Sequence, residues 1–243
     1  MVTFVDITKQ KEIDIAKSEF VSLASHQLRT PISGMRWSAE LLLMDGVETL
    51  SKKQKRYIER LLSSIQRMNS LVDDFLQVSR FELGTRVLKQ ESVGLEELFE
   101  DVIFEQAEVV KSKRLRIEKD YDRSIKSIVT DLGLLRIVVT NLYTNAVKYS
   151  RVGGEVNFSY HCQGGELIIE VKDKGMGIPV AEQHRIFSKV FRASNAIREV
   201  PDGTGLGLYI VQKSVETLKG RISFISNEED GTTFTVVIPL SEK

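Results

Sequence analysis

The chain has 243 residues, 42% of them hydrophobic, which is enough for one or two ordinary domains with real cores and excludes a disordered or fibrous protein. Lys and Arg total 34, as do Asp and Glu, so no net field marks nucleic acid or an anionic membrane as a partner. The longest apolar runs are only a few residues, predicting neither a transmembrane helix nor a signal peptide. A lone cysteine, Cys162, excludes an internal disulfide framework, and three histidines offer no zinc spacing. A reducing cytoplasm is the expected setting, with any membrane anchor or soluble sensor of the natural protein lying upstream.

Phe4-Val5-Asp6-Ile7-Thr8 is β-prone, and residues 1–8 resemble the strand that closes a PAS sensor domain; an arbitrary chain start reads equally well. Lys9 to Glu19 is charged and lacks Gly and Pro, predicting helix that runs into Phe20 to Leu43. There Phe20, Ala24, Leu28, Ile32, Met35, Ala39 and Leu42 recur at steps of three and four and share one stripe. His26 falls off it. At about 100° per residue it points roughly 160° from Leu28, toward solvent, with Thr30 one turn along its own side. It is either a surface histidine of a bundle helix or a histidine presented for chemistry. Pro31 removes one backbone donor and predicts a kink or loosened turn beside His26.

This helix gives out at Met44-Asp45-Gly46, and Ser51-Lys52-Lys53-Gln54 reads as a capping box opening the next. Ile58, Leu61, Ile65, Met68, Val72, Phe75, Leu76 and Ser79 again hold one stripe. Two helices with one seam each cannot bury both seams alone. A homodimer forming a four-helix bundle over residues 9–83 solves this; a hairpin packed on the C-terminal domain of its own chain is the alternative.

Gly84 ends the second helix, and 84–94 read as a linker. Beyond it, 95–243 predict helix from Leu95 to Lys113, a strand around Leu115 to Lys119, and helix from Asp131 to Tyr149. A hairpin follows, Gly154 to Cys162 and Glu166 to Asp173, turned at Gln163-Gly164-Gly165. Helix from Leu206 to Lys219 precedes strands from Arg221 to Ser226 and Thr232 to Pro239. The expectation is a multidomain chain, an all-α hairpin followed by an α+β sandwich whose mixed sheet is covered on one face.

Asn141, Asn145 and Lys148 fall at i, i+4 and i+7 on one helix face. Two amides and an ammonium there suit a hydrated metal and phosphates, or form a solvated face. Asp173 continues the inward parity of Leu167, Ile169 and Val171, and a buried carboxylate needs a partner. A nucleobase amino group or the turn leading to Gly175 and Gly177 would supply one. Gly203-Thr204-Gly205-Leu206-Gly207-Leu208 opens a helix where backbone amides can close on phosphates. No Walker lysine follows, and no strand leads directly into these glycines as a dinucleotide unit requires. His161, on the polar face with Asn157 and Ser159, and His184 read as surface residues; Cys162 reads as core.

The seven residues Ser25-His26-Gln27-Leu28-Arg29-Thr30-Pro31 resemble the phosphoacceptor box of bacterial histidine kinases, S-H-[E/D]-L-R-T-P, with Gln27 as the one departure. Asn141 to Ser150 resembles the N-box of the Bergerat-type ATP-binding fold shared by histidine kinases, gyrase-type topoisomerases, mismatch-repair ATPases and heat-shock chaperones. Asp173-Lys174-Gly175-Met176-Gly177-Ile178 matches its D-x-G-x-G box. Ile186-Phe187-Ser188-Lys189-Val190-Phe191-Arg192 resembles the F-box of its ATP lid, with Val190 where an aromatic is usual. Asp230-Gly231-Thr232-Thr233-Phe234 resembles its closing turn, with Glu229 in place of a common glycine.

The resemblance implies ATP and Mg²⁺ as cofactors. Asn141 and Asn145 would serve the metal and phosphates, Lys148 the phosphates, and Tyr149 would pack near the base. Asp173 would read the adenine amino group beside Gly175, Gly177 and Ile178. Phe187 of the lid would belong to the nucleotide site, Arg192 would reach the γ-phosphate, and Gly203, Thr204, Gly205, Leu206 and Gly207 would surround the phosphates. Phosphotransfer to His26, with Gln27 and Thr30 beside it, and then to an aspartate of a response-regulator receiver domain is the implied chemistry. Topoisomerase and chaperone relatives carry a water-activating glutamate where Asn141 stands, which weighs against an ATP-driven clamp. Gln27 leaves open a phosphatase-biased or non-catalytic dimeric scaffold.

Overall fold

The computed structural model describes residues 27–44, 50–84, 88–200 and 203–240. The PAS-like run, the helix expected over Lys9 to Glu19, His26 and the turn at Asp45-Gly46 lie outside them. Two compact units divide at Arg86 and Val87. Among the described residues no helix is long and apolar enough to cross a membrane.

In the first unit, helix α1 (27–44) continues through Pro31, and helix α2 spans Lys52–Glu82. The capping box forms as expected: the Gln54 amide donates to Ser51 Oγ at 3.3 Å, and the Ser51 amide donates to Gln54 Oε1 at 2.9 Å. Arg29 Nη2 meets Asp73 Oδ1 at 2.7 Å, fastening α1 to α2 as a hairpin. The single stripe read on each helix divides in two. Ile32 and Ala39 on α1, with Ile65 and Leu76 on α2, are buried. Leu28, Met35 and Leu42, and then Leu61, Met68 and Phe75, each spaced by seven, stay exposed. A seven-residue apolar repeat is the mark of a second helical seam.

The second unit opens with strand β1 (Glu91–Gly94), paired antiparallel with β3 (Ser127–Thr130). Residues 91–94, read from sequence as linker, therefore belong to this unit. The helix expected from Leu95 to Lys113 is two, α3 (Leu95–Glu105) and α4 (Ala107–Lys113), because Gln106 leaves the helical region at φ −104°, ψ 6°. Strand β2 (Arg116–Tyr121) follows. Asp131 then caps helix α5 (Leu132–Tyr149): its Oδ1 accepts from the Leu134 amide at 2.8 Å and its Oδ2 from the Lys89 amide at 3.0 Å.

The main sheet is completed by β4 (Glu155–Gln163), β5 (Glu166–Asp173), β6 (Arg221–Asn227) and β7 (Gly231–Pro239), in the order β2-β4-β5-β7-β6. Only β2 and β4 run parallel. The β4–β5 hairpin turns through Gly164 and Gly165, both at positive φ, as a two-residue loop of this hand demands. Between β5 and β6 lie a 3-10 helix (Val180–Arg185), helix α6 (Ser194–Glu199) and helix α7 (Gly207–Thr217).

One core holds this unit together. Inward residues Val156, Phe158 and Tyr160 of β4, Leu167, Ile169 and Val171 of β5, and Phe234 and Val236 of β7 pack with α3, α5 and α7. Phe158 stacks on Phe99 at 4.4 Å and on Tyr143 at 4.8 Å, so α3 and α5 are seated on the sheet by aromatic rings. Cys162 packs against the core partly buried, and the α+β sandwich expected from the sequence is the architecture observed.

Candidate functional site

Helix α5 buries Leu135, Val138, Val139, Leu142, Tyr143, Ala146 and Val147 and leaves Asn141, Asn145, Lys148 and Tyr149 half-buried on its other side. Asn141 Nδ2 donates to the Ile137 carbonyl at 2.8 Å, which turns Oδ1 outward toward the start of α7. A Cβ at residue 207 would stand 2.8 Å from that oxygen. A Cβ at residue 203 would stand 3.0 Å from Lys148 Nζ and 3.3 Å from Arg192 Cζ. The glycine loop thus passes against the polar face of α5, bringing Asn141, Lys148, Arg192, Gly203 and Gly207 together.

Thr204 Oγ1 accepts from the Leu206 amide at 3.2 Å, and Leu206 itself is buried. α7 begins at Gly207 with no side-chain cap, so its first amides suit an anion. Lys148 Nζ lies 5.3 Å from the centroid of the Tyr149 ring. Burial pushes the Tyr149 hydroxyl pKa up, and its hydrogen bond and proximity to Arg192 pull it back. The C-terminal end of α5 is held by Lys113, whose ammonium donates to the carbonyls of Val147, Lys148 and Ser150.

A bridge between Ser150 and Gly175, with the Met176 amide on the Tyr149 carbonyl at 3.3 Å, joins α5 to the D-x-G-x-G box. Asp173 is buried in register between Val156 and Thr232. Its Oδ1 accepts from the Gly175 amide at 2.9 Å. Burial lifts its pKa to about 6, against the pull of the Gly175 and Thr232 amides. Both partners foreseen for this carboxylate, the turn and a base, are compatible with these two amides, which leave it further lone pairs.

Two glycines here admit no substitute. Gly177 has φ +60°, and a Cβ would fall 2.1 Å from the Asn227 carbonyl oxygen. Gly231 has φ +91°, and a Cβ would fall 2.1 Å from the Asp173 carbonyl oxygen. The Ile178 amide donates to Ser226 Oγ at 2.9 Å, completing the box from β6, two strands from β5.

In the lid, Ile186 is buried and Phe187 meets Phe224 edge-on at 5.9 Å, so Phe187 anchors the lid rather than lining open space. Arg185 lies 4.6 Å over the Phe191 ring. Val190 adopts φ +58°, an outlier for a β-branched side chain, and a Cβ at residue 205 would stand 2.8 Å from its carbonyl carbon. Arg192 Nη2 donates to the Ala196 carbonyl at 3.1 Å and to the Val200 carbonyl.

On the helical unit, Gln27 and Thr30 are both exposed on α1; His26 lies one residue before the described segment. Sequence reasoning missed Lys113, Asn195, Ser226 and Thr232, and also Gln183, whose Nε2 donates to the carbonyls of Ile178 at 3.0 Å and Ser226 at 3.1 Å. Ser226 shares parity with the inward Ile222 and Phe224, and Thr232 with Phe234 and Val236, so their inward polarity was a legible signal. Lys113 and Asn195 carry none, since their partners are distant in sequence.

Residues 16–84 match the family model described as the His Kinase A (phospho-acceptor) domain, and residues 130–242 match the Histidine kinase-, DNA gyrase B-, and HSP90-like ATPase. Sensor histidine kinase WalK of Bacillus subtilis is 32% identical over 98% of this chain and 39% of its own length. The chain belongs to the sensor histidine kinase family. This kinase core is also 30% identical to Drug sensory protein A of Synechocystis sp., over 96% of the chain and 36% of that protein. In structure it is similar to full-length ShkA solved in complex with AMPPNP, with a TM-score of 0.76 and 26% identity, covering 93% of this chain and 46% of that one. The core thus spans less than half the length of each of these three relatives.

Proposed function

We propose that this kinase core transfers the γ-phosphoryl group of ATP to a ring nitrogen of His26 and passes it to an aspartate of a response-regulator receiver domain. The observation that carries the reading is the convergence of Asn141, Lys148 and Arg192 on the Gly203–Gly207 loop, with the buried Asp173 carboxylate at the base-reading box. In the transfer a bond forms from the His26 nitrogen to phosphorus while the bond to the β,γ-bridging oxygen breaks, and ADP leaves. Lys148 and Arg192 place two positive charges by the loop that would hold the phosphates, where positioning and charge neutralisation supply most of the catalysis. Asp173 accepts from the Gly175 and Thr232 amides, and a carboxylate with about four lone-pair sites keeps acceptor capacity for an adenine amino group.

Mg²⁺ fits this donor set in one way. Among the described residues no group of three or more His, Cys, Asp or Glu could hold a metal. Asn141 turns an amide oxygen toward the loop, and amide oxygens with substrate phosphates are the ligand type Mg²⁺ accepts. Asn141 and Asn145 would hold it; when bound it spreads the phosphate charge.

A homodimer is part of the proposal, supported by the exposed seven-residue repeats of Leu28, Met35 and Leu42 and of Leu61, Met68 and Phe75. A monomeric mass at micromolar concentration would contradict it. The transfer is tested by incubation with γ-labelled ATP and Mg²⁺. Protein-bound label that is acid-labile and base-stable, as a phosphoramidate is, supports the reading, and absence of bound label overturns it.

A further inference from the structure

We infer that Asn195 is a positioning residue that ties the base-reading box to the lid arginine, so that the two ends of the nucleotide site are built on one rigid connection. Asn195 is 8% exposed, the one buried polar side chain of α6. Its Nδ2 donates to the Gly177 carbonyl at 3.0 Å and to the Met176 carbonyl at 3.4 Å, and its Oδ1 accepts from the Ala196 amide at 2.8 Å. A carboxamide has two N–H donors for the two carbonyls and an oxygen that accepts the amide proton at once.

One end of this connection is closely packed and the other is functional. Gly177 runs so close to Asn227 that a Cβ there would fall 2.1 Å from its carbonyl oxygen, and the Ile178 amide is held by Ser226 Oγ. On the other side the carbonyl of Ala196, the residue next to Asn195, accepts from Arg192 Nη2. The Ser194 amide on Glu182 Oε2 at 2.8 Å steadies the same turn from a second direction. Moving Asn195 therefore moves one of the two carbonyls, those of Ala196 and Val200, that hold the guanidinium, while Asp173 keeps its own Gly175 and Thr232 amides. Asn195 touches neither phosphate-side group directly; it acts through Ala196 on Arg192. The inference rests on Arg192 as the contact to the γ-phosphate.

Asn195→Asp keeps the size and the acceptor but sets a carboxylate against two carbonyls; Asn195→Ala removes the connection outright. Calorimetry on the 243-residue chain with Mg²⁺ should show ATP affinity falling about tenfold or more in either variant while ADP affinity stays near wild type, the scale of one charge-assisted hydrogen bond. ADP is the control for a merely structural role, because a damaged fold weakens both nucleotides alike. Parallel losses for ATP and ADP, or an unchanged ratio of the two, overturn the inference. Arg192→Ala separates the underlying reading: it should erase the preference for ATP over ADP by itself. If Arg192→Ala keeps that preference, the assignment of Arg192 fails and the role of Asn195 fails with it. If only the Asn195 variants keep it, the assignment stands and the connection through Asn195 does not.

Discussion

The side-chain oxygen of Asn141 stands 2.8 Å from the place a Cβ on residue 207 would occupy, so the N-box and the glycine loop meet across a gap that holds no extra atom. Gly207 is the first residue of α7, where alanine is the better helix former by about 1 kcal/mol. Gly207→Ala should therefore leave the melting temperature unchanged or slightly raised while displacing Asn141 and weakening ATP binding by about tenfold. Calorimetry beside a thermal melt checks the split; undiminished affinity would show that Asn141 does not work against this loop.

Asp173 makes nucleotide binding depend on pH. Its folded-state pKa of about 6 lies above the usual carboxylate value, so the charged form opposes folding at neutral pH, and that opposition fades as pH falls through about 6 toward 4. Binding carries the opposite sign, because an adenine amino donor needs the carboxylate. Affinity should fall as pH drops through about 6, approaching tenfold per unit. Asp173→Asn should weaken binding at pH 7.5 or above by about 1.5 to 3 kcal/mol and flatten the pH dependence. A titration by calorimetry decides, and a wild-type affinity that is level between about pH 5 and 7 would remove Asp173 from base recognition.

Much of this was legible because the signals are local. Ser51 and Gln54 lie three apart, Asp131 sits before an apolar run, and Asp173 continues a strand's parity. β1 and β3 escaped because each has four residues and their pairing joins positions more than thirty apart. The break at Gln106 carries neither Gly nor Pro, so no local residue announces it. The single stripes of α1 and α2 looked uniform because sequence cannot tell which apolar positions face the hairpin partner; burial divides Ile32 from Leu28. In the site, Asn195 and Lys113 were invisible because what they hold is backbone carbonyl, which every residue offers.

Gln27 is the departure within the phosphoacceptor box, exposed on α1 one turn from Thr30. An amide keeps an acceptor oxygen but lacks the basicity to take the imidazole proton as the ring attacks phosphorus. We expect slow autophosphorylation, with Gln27 and Thr30 better suited to orienting water on a phosphorylated receiver. Gln27→Glu should raise the single-turnover labelling rate by about tenfold or more, within the usual range for a general base. An equal or lower rate at unchanged ATP affinity would show that Gln27 is no handicap.

The most direct measurement compares wild type with His26→Ala under γ-labelled ATP and Mg²⁺, with nucleotide affinity determined on the same preparations. Wild type should take up acid-labile, base-stable label, and the variant should take up none while binding ATP as tightly, since the nucleotide residues all lie in the other unit. Label retained by His26→Ala would contradict the assignment of His26 as the phosphoacceptor.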